Sequence, residues 1–176
     1  MGIIKQYLDR KKIHNDAAAY WRERGAKIGK DCDINPYANL GSEPYLIEIG
    51  DHVRVCHKVE IYTHDGGLWV IRDYKEGCKG ADIFKPVKIG NNVHIGPESK
   101  IMPGVEIGDN VIIGVGAVVT KNIPNNSIAV GTPARVIESI DEYYEKNKDK
   151  YVDTKYMSAE EKKQFILREL YHEGAN

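Results

Sequence analysis

An aliphatic residue recurs every six positions through the middle of the chain, and this period limits the possible folds more than any other feature. From residue 83 the first position of each block is Ile or Val, the second is glycine in four blocks, and the fifth is apolar or small. The first positions are Ile83, Ile89, Ile95, Ile101, Ile107, Ile113 and Val119. The fifth positions are Val87, Val93, Ser99, Val105, Val111, Ala117 and Ile123. Because a period of six matches neither a helix nor an alternating strand, it predicts a short strand followed by a turn, with the first position facing inward.

The same phase appears earlier in two fragments, one through Ile28 and Ile34 and one through Ile49 and Val55. The register slips at "LGSEPYLI", residues 40–47, and is lost between residues 61 and 83. Three units make one triangular coil, and stacked coils pair through parallel hydrogen bonds about 4.8 Å apart. We expect the glycines after the aliphatic residues to relieve backbone strain where the chain bends. The sequence therefore predicts a β-helix over residues 26–137.

The two ends of the chain are predicted to be helical. "NDAAAYWRERG" is typical of a short helix with Asn15 as its N-terminal cap and Gly25 as its terminator, within a cap over residues 1–25. Residues 138–176 are charged and helix-forming, with Ser158 and Glu161 placed as a capping box. We expect both segments to cover open strand edges. For the second segment, support of a trimer and recruitment of a partner are the alternatives.

The composition excludes several classes of function. The 176 residues carry a formal net charge of −1, so no basic surface for nucleic acid or anionic membranes is expected. The apolar runs are too short to span a bilayer, and no signal-peptide pattern opens the chain. Cys32, Cys56 and Cys78 have no metal-type spacing, and their odd number argues against a disulfide framework. We expect a soluble, cytoplasmic protein.

A long excursion, about residues 65–82, interrupts the repeat, and excursions from a rigid scaffold usually carry function. It contains Trp69 and Arg72, which suit stacking on a sugar ring and hydrogen bonding to its hydroxyls. His64 lies where the last regular coil ends and the excursion begins. Acyl transfer from a thioester to an alcohol needs a base that works near neutral pH, and histidine suits that task.

A zinc site is an alternative use of the histidines. His52 and His57 form an H-x4-H pair, as in the gamma-class carbonic anhydrases. In that family the two histidines follow the inward aliphatic residue by two places and by one, whereas here they follow it by three and by two. No third histidine lies in a matching upstream coil, so the sequence does not supply converging zinc ligands and we predict no metal.

The repeat, the "THDGG" after a coil, the later "IGNNVHIG" and the ending "VTKNIP…GTPAR" resemble the hexapeptide-repeat acyltransferases. The resemblance covers about residues 26–137 and implies an all-β core with the fold of a left-handed parallel β-helix. It also implies acetyl-CoA as acyl donor and a homotrimer with sites between subunits. The "THDGG" stretch and the loop after it are most similar to the maltose, galactoside and nodulation-factor O-acetyltransferases and to those of surface-polysaccharide pathways.

Carried onto this chain, the resemblance implies that His64 is the catalytic base. The residues implied to bind the cofactor are Gly96, Gly114, Ala117, Thr120, Lys121, Thr132, Pro133 and Arg135. The residues expected near the acceptor are Asn39, Glu43, Tyr62, Asp65, Trp69 and Arg72. Asp65 follows His64 directly and would point the other way along a strand, so Glu43 or a backbone carbonyl is the better candidate to orient the ring. Some relatives have a basic residue where this chain has Glu138, so one nucleotide contact is expected to be missing.

The expected function is acetylation of a saccharide hydroxyl, by direct attack on the thioester, in polysaccharide biosynthesis. An amino-sugar N-acetyltransferase is the nearest alternative, because it shares the fold and the cofactor and an amine needs less help from a base. A non-catalytic β-helix scaffold is the alternative from another class.

Overall fold

A computed structural model describes residues 3–172, so the first two and the last four residues of the predicted terminal segments lie outside the described residues. In chain order the strands are β1 (Lys27–Ile28), β2 (Asp33–Ile34), β3 (Ile47–Ile49), β4 (Arg54–Val55), β5 (Glu60–Ile61), β6 (Val87–Ile89), β7 (Val93–Ile95), β8 (Lys100–Ile101), β9 (Glu106–Ile107), β10 (Val111–Ile113), β11 (Val118–Val119), β12 (Ser127–Val130) and β13 (Arg135–Ser139). The helices are α1 (Ile3–Asn15), α2 (Ala17–Glu23), α3 (Leu68–Tyr74), α4 (Ile140–Asn147) and α5 (Ala159–His172). Short 3₁₀ helices span Pro44–Leu46 and Lys148–Lys150.

The strands form the three faces of a β-helix. One face has the order β1-β3-β6-β9, the second β2-β4-β7-β10-β12-β13, and the third β5-β8-β11. All neighbouring strands are parallel except β12 and β13, which form an antiparallel hairpin at the end of the second face. Because each of the three coils from β3 to β11 contributes one strand to each face, the predicted triangular coil is confirmed.

The pairing register measures the length of each coil. Val93 pairs with Val111, eighteen residues later, which equals three units of six. Asp33 pairs with Arg54, twenty-one residues later, so the predicted slip is an insertion of three residues. Arg54 pairs with His94, forty residues later, so the excursion adds a further twenty-two residues to one coil. Both interruptions are therefore extra chain placed outside an otherwise regular stack.

The inward residues form a continuous core, with one correction at its start. Ile89, Ile95, Ile101 and the later first positions are all no more than 3% exposed, and the fifth positions are no more than 5% exposed. Ile83, however, is 42% exposed. The repeat predicts Ile83 as the first residue of the buried column, but Ile83 belongs to the chain returning from the excursion, so the buried column of the main repeat begins later, at Val87 and Ile89.

The glycines after the aliphatic residues have a different role from the one predicted. Gly90 and Gly108 do not have positive φ. A Cβ built on Gly90 would lie 2.8 Å from the backbone of Gly108 in the next coil and 2.5 Å from Asp109 Oδ1. Glycine is required here because the stacked backbones approach closely, and not because the chain bends in a left-handed conformation.

The left-handed corners are instead occupied largely by residues with polar side chains. Asp31, His52, Asn92, Asn110 and Asn126 have φ between +54° and +56°. From His52 onward these side chains form a ladder along one edge: His52 Nδ1 lies 2.9 Å from Asn92 Oδ1, and the Asn92 and Asn110 amides each donate to the next asparagine at 2.8 Å. Asn and Asp tolerate this conformation better than other non-glycine residues, so the corner selects them.

At the N-terminus, α2 packs against the first coils through Trp21, which is 6% exposed and belongs to the hydrophobic core. Its N-terminal cap is Asp16, whose Oδ1 accepts from the Ala19 N–H at 2.8 Å, and not the predicted Asn15, which closes α1. Gly25 follows the helix with φ +98°, as expected of a helix terminator.

The chain divides into two compact units, the first ending at Tyr143 and the second beginning at Tyr144. In the second unit, Ser158 N–H donates to Glu161 Oε2 at 2.8 Å and Glu161 N–H donates to Ser158 Oγ at 3.3 Å, which is the predicted capping box at the start of α5. The role of this segment as a cap or as a trimer-supporting arm stays a prediction. No helix within residues 3–172 has the length and apolar character needed to cross a membrane.

Candidate functional site

The two ends of the excursion pair with each other, and His64 lies in that pairing. The Asp65 N–H donates to the Ile83 carbonyl at 3.1 Å, and the Lys85 N–H donates to the Thr63 carbonyl at 2.8 Å. Between them His64 forms an antiparallel bridge with Phe84. The backbone of His64 is therefore held on both sides, although the chain beyond it leaves the β-helix.

The three-residue insertion at "LGSEPYLI" supplies a partner for His64. Glu43 directly precedes the Pro44–Leu46 3₁₀ helix, and its Oε2 accepts from His64 Nδ1 at 2.9 Å. The same oxygen accepts from Thr63 Oγ1 at 2.8 Å, and Thr63 is fully buried. Because a carboxylate only accepts, Nδ1 carries the proton, and Nε2 is the basic nitrogen of the neutral ring.

The environment keeps Glu43 ionised. Burial raises the pKa of its carboxyl, but hydrogen bonds from His64 and Thr63 outweigh burial and leave that pKa below its ordinary value of 4.5. The Glu43 side chain is 15% exposed and that of His64 is 39% exposed, so the carboxylate lies behind the ring and the ring is reached from solvent. A partly buried carboxylate of this kind both orients an imidazole and stabilises its protonated form.

His64 opens into a cavity of about 530 Å³. The cavity is lined by Tyr62, His64, Asp65, Gly66, Ile83, Lys85, Met102, Pro103 and Thr120. The Tyr62 hydroxyl donates to Glu60 Oε2 at 2.6 Å, and this hydrogen bond, together with burial, raises the pKa of Tyr62. The cavity thus brings together His64, two of the residues predicted near the acceptor, and Thr120 from the predicted cofactor set.

The other residues predicted near the acceptor lie elsewhere or have other partners. Asn39 is not among the residues that line the cavity, and its Oδ1 accepts from the Gly41 N–H at 3.0 Å. Trp69 is 78% exposed and lines a second cavity of about 450 Å³ with Arg72, Asp73 and Lys79. Arg72 donates to the Ala81 carbonyl at 2.8 Å and pairs with Asp82, so it braces the excursion.

The predicted cofactor residues fall into two groups. Gly96, Gly114 and Ala117 are constrained by this subunit itself. Ala117 is fully buried, and a Cβ on Gly96 or Gly114 would lie 2.8 Å or less from the neighbouring coil. Any contact of these three with a ligand would have to use their backbone.

The second group is exposed at the end of the β-helix. Lys121 follows β11, and the Thr132–Pro133 peptide, which is cis, lies in the turn between β12 and β13. Thr132 Oγ1 donates to the Gly116 carbonyl at 3.3 Å, and Arg135 donates to the Ala134 carbonyl at 2.8 Å. The cationic groups of Lys121 and Arg135 and the hydroxyl of Thr132 are therefore exposed at one end of the three-sided β-helix, which we call the prism.

Sequence reasoning missed Thr63 and Lys85. Thr63 stands at a buried position of the last coil before the excursion, and only the three-dimensional approach of Glu43 gives it a role. Residues 8–169 contain no cluster of three His, Cys, Asp or Glu side chains able to hold an ion, and the expectation that no metal is bound stays a prediction.

Comparison with known proteins gives the family. A model of the bacterial transferase hexapeptide, in six repeats, matches residues 86–121. The chain is 44% identical to Protein CapG of Staphylococcus aureus over 170 residues, covering 95% of this chain and 92% of CapG.

Solved structures agree with this match. A maltose O-acetyltransferase from Clostridium difficile 630 is 31% identical with a TM-score of 0.57, covering 76% of this chain and 83% of that one. A galactoside acetyltransferase in complex with coenzyme A is 26% identical with a TM-score of 0.57, covering 89% and 85%. The predicted fold class, a left-handed parallel β-helix of hexapeptide repeats, is confirmed. The chain belongs to the hexapeptide-repeat acetyltransferases.

Proposed function

We propose that this protein transfers the acetyl group of acetyl-CoA to a hydroxyl of a saccharide, with His64 as the general base. The observation that carries the proposal is the Glu43–His64 pair: Nδ1 of the ring is held at 2.9 Å by an ionised carboxylate, and the ring opens into a cavity. This leaves Nε2 free to accept a proton from an alcohol. General base catalysis of this kind contributes roughly 10²- to 10⁴-fold to a rate.

The reaction proceeds in one ternary complex. Nε2 of His64 takes the proton of the acceptor hydroxyl as its oxygen attacks the thioester carbonyl, which gives a tetrahedral oxyanion. The oxyanion collapses, the carbon–sulfur bond breaks, and the proton passes from the imidazolium to the departing sulfur. Glu43 stabilises the imidazolium during this sequence, because its carboxylate is adjacent and stays ionised. Holding both substrates together removes much of the entropic barrier.

Acetyl-CoA is proposed to enter from the end of the prism that carries Thr120 and Lys121. Thr120 lines the His64 cavity, which supports a route from that end to the base. Lys121 and Arg135 would meet the phosphates, and Thr132 with Pro133 would turn beside the nucleotide. Gly96, Gly114 and Ala117 would contribute backbone groups to the pantetheine arm. The coenzyme A complex of the similar galactoside acetyltransferase supports this donor.

The proposed assembly is a homotrimer in the cytoplasm with active sites between subunits, acting in polysaccharide biosynthesis. The excursion supports an interface, because Trp69, Val70 and Tyr74 expose apolar side chains that would be covered by a neighbouring subunit. Similarity to maltose and galactoside O-acetyltransferases supports a saccharide as the acceptor.

The test is release of coenzyme A from acetyl-CoA in the presence of a panel of saccharides and their amino-sugar counterparts. The product of the preferred acceptor is treated with mild alkali, which cleaves an ester and leaves an amide intact. We expect saccharides without an amine to turn over and their products to be alkali-labile. Turnover of amino sugars alone, with alkali-stable products, would establish the N-acetyltransferase instead. Failure to release coenzyme A with any acceptor would overturn the proposal.

A further inference from the structure

Lys85 brings an unneutralised positive charge to the His64 cavity. It lines that cavity, and no carboxylate lies within ion-pair distance of its ammonium among the described side chains. Other lysines on the outer surface of the coils do have such partners. These pairs are Lys27 with Glu48, Lys58 with Glu98, Lys88 with Glu106, and Lys100 with Glu60. Lys85 therefore differs from most of the surface lysines around it both in position and in pairing.

The other polar groups of the cavity are largely engaged. Asp65, the carboxylate among the lining residues, accepts from the Gly67 N–H and is tied to the turn that opens the excursion. The Tyr62 hydroxyl donates to Glu60. His64 donates to Glu43 through Nδ1. Lys85 is the cationic group of the lining, and none of these contacts involves its ammonium.

The position of Lys85 relative to His64 fits one sugar unit. Phe84 bridges to His64 across the neck of the excursion, so Lys85 follows the residue directly opposite the base. His64 and Lys85 line the same cavity, so one ligand within it can contact both side chains. The stem of Lys85 lies over Gly104, since a Cβ built there would be 3.0 Å from Lys85 Cδ. A cavity of about 530 Å³ is within the usual range for small-molecule sites of roughly 300–1,000 Å³.

We propose that the acceptor saccharide carries an anionic group, either the carboxylate of a uronic acid or the phosphate of a sugar phosphate, which binds Lys85 while a hydroxyl of the same sugar reaches His64. This inference rests on the proposed function and specifies its substrate class. The ammonium also disfavours a protonated amine in the same cavity, because like charges repel at short distance in a partly desolvated site.

The test compares neutral and anionic forms of one sugar. For the wild type, kcat/KM is measured with glucose, glucuronate and glucose 6-phosphate, and with galactose and galacturonate. We expect about a 10-fold preference for an anionic form over its neutral partner, the effect of one charge-assisted hydrogen bond. Preference for the uronic acid or for the phosphate identifies the source of the charge. Raising the salt concentration should reduce the preference, since the cavity is open to solvent.

Two variants assign the preference to Lys85. Lys85→Met keeps the length of the stem and removes the charge, so the anionic-to-neutral ratio of kcat/KM should fall about 10-fold. Lys30→Met is the control, because Lys30 is exposed at a coil corner and does not line the cavity. It should retain the wild-type ratio, and Lys85→Arg should retain most of it.

The possible failures are distinguishable. Transfer to saccharides with equal kcat/KM for neutral and anionic forms would overturn this inference and leave the proposed function intact. If Lys85→Met raised the KM for acetyl-CoA and not that for the acceptor, the cation would serve the donor, and the inference would be wrong. Absence of transfer to every acceptor would overturn the proposed function and this inference with it.

Discussion

Replacing Glu43 by Gln tests whether the carboxylate behind His64 assists the base. The amide oxygen of Gln can take the place of Oε2 and accept from both His64 Nδ1 and Thr63 Oγ1, so the geometry is kept and the charge is lost. A hydrogen bond to a charged group contributes about 1.5–3 kcal/mol and a neutral one about 0.5–1.5 kcal/mol. The difference of roughly 1–2 kcal/mol corresponds to about a 5- to 30-fold decrease in kcat.

The assay is coenzyme A release under saturating acetyl-CoA, with kcat and both KM values determined for each variant. Because Glu43 acts through His64, kcat should fall while the KM for acetyl-CoA stays constant. Glu43→Asp should be at least as impaired as Glu43→Gln, since loss of one methylene moves the carboxylate back by about 1.5 Å and beyond hydrogen-bond distance. Glu106→Gln, which changes an exposed carboxylate paired with Lys88, is the matched control. Full kcat in Glu43→Gln would refute the positioning role.

The lowered pKa of Glu43 gives the same variant a second readout. A carboxyl whose pKa is lower in the folded state adds stability above its unfolded pKa, and that stability is lost as the pH falls through the folded value. The denaturant concentration at the midpoint of unfolding should therefore be higher for the wild type than for Glu43→Gln at neutral pH. The difference between the two midpoints should decrease as the pH falls below 4.5. The comparison is made at one protein concentration, because assembly alters apparent stability. A difference between the two midpoints that increases in acid would contradict the ionised state assigned to Glu43.

The remaining predictions concern the network and the stack. Thr63→Val removes the hydroxyl that donates to Glu43, so the free energy of unfolding should fall by about 1 kcal/mol. The decrease in kcat should be smaller than in Glu43→Gln. Denaturant titration measures the first effect and the same kinetic assay measures the second. Ile101→Ala should lower the free energy of unfolding by about 2–5 kcal/mol, because Ile101 is fully buried. Ile83→Ala changes a residue at the same phase that is 42% exposed, and it should lower the free energy of unfolding by under about 1 kcal/mol. Equal decreases for the two variants would mean that Ile83 lies in the core. Gly90→Ala should lower the melting temperature strongly, because the new Cβ would lie 2.8 Å from the backbone of the next coil. Gly80→Ala should not lower the melting temperature, because the space around Gly80 is open. An unchanged melting temperature in Gly90→Ala would show that the coils can move apart.

The period of six predicted most of the fold because one inward position per unit leaves few other ways to bury the aliphatic residues. Ile95 and Val111 lie where that pattern requires. Ile83 is the exception. It has the phase of the repeat, but it lies on the segment that returns from the excursion to the β-helix, so phase alone does not show that a residue is in the core. The prediction that the glycines relieve strain at bends was also wrong. The constraint at Gly90 is the distance to the next coil, and that distance depends on how the coils stack and not on the sequence of one strand.

The candidate site was only partly predictable for a related reason. His64 could be identified from its place at the end of a coil and from family resemblance. Glu43 could be named only as one possible partner, because the contact joins residues twenty-one positions apart through an insertion whose conformation the sequence did not specify. Trp69 and Arg72 have side chains suited to a sugar, but the fold of the excursion places them at a separate cavity. Lys85 carries no sequence signal, since only its lack of a partner beside His64 distinguishes it from other lysines.

The most direct test of the central claim is the turnover of His64→Ala with the preferred saccharide, measured together with coenzyme A affinity by calorimetry. The account predicts that kcat falls by several hundred-fold or more while the Kd for coenzyme A stays within about two-fold of the wild type. The control is His57→Ala, an exposed histidine at a coil corner, which should retain full activity. Wild-type kcat in His64→Ala would contradict the account, because no proton transfer through this ring would then be needed for acetyl transfer.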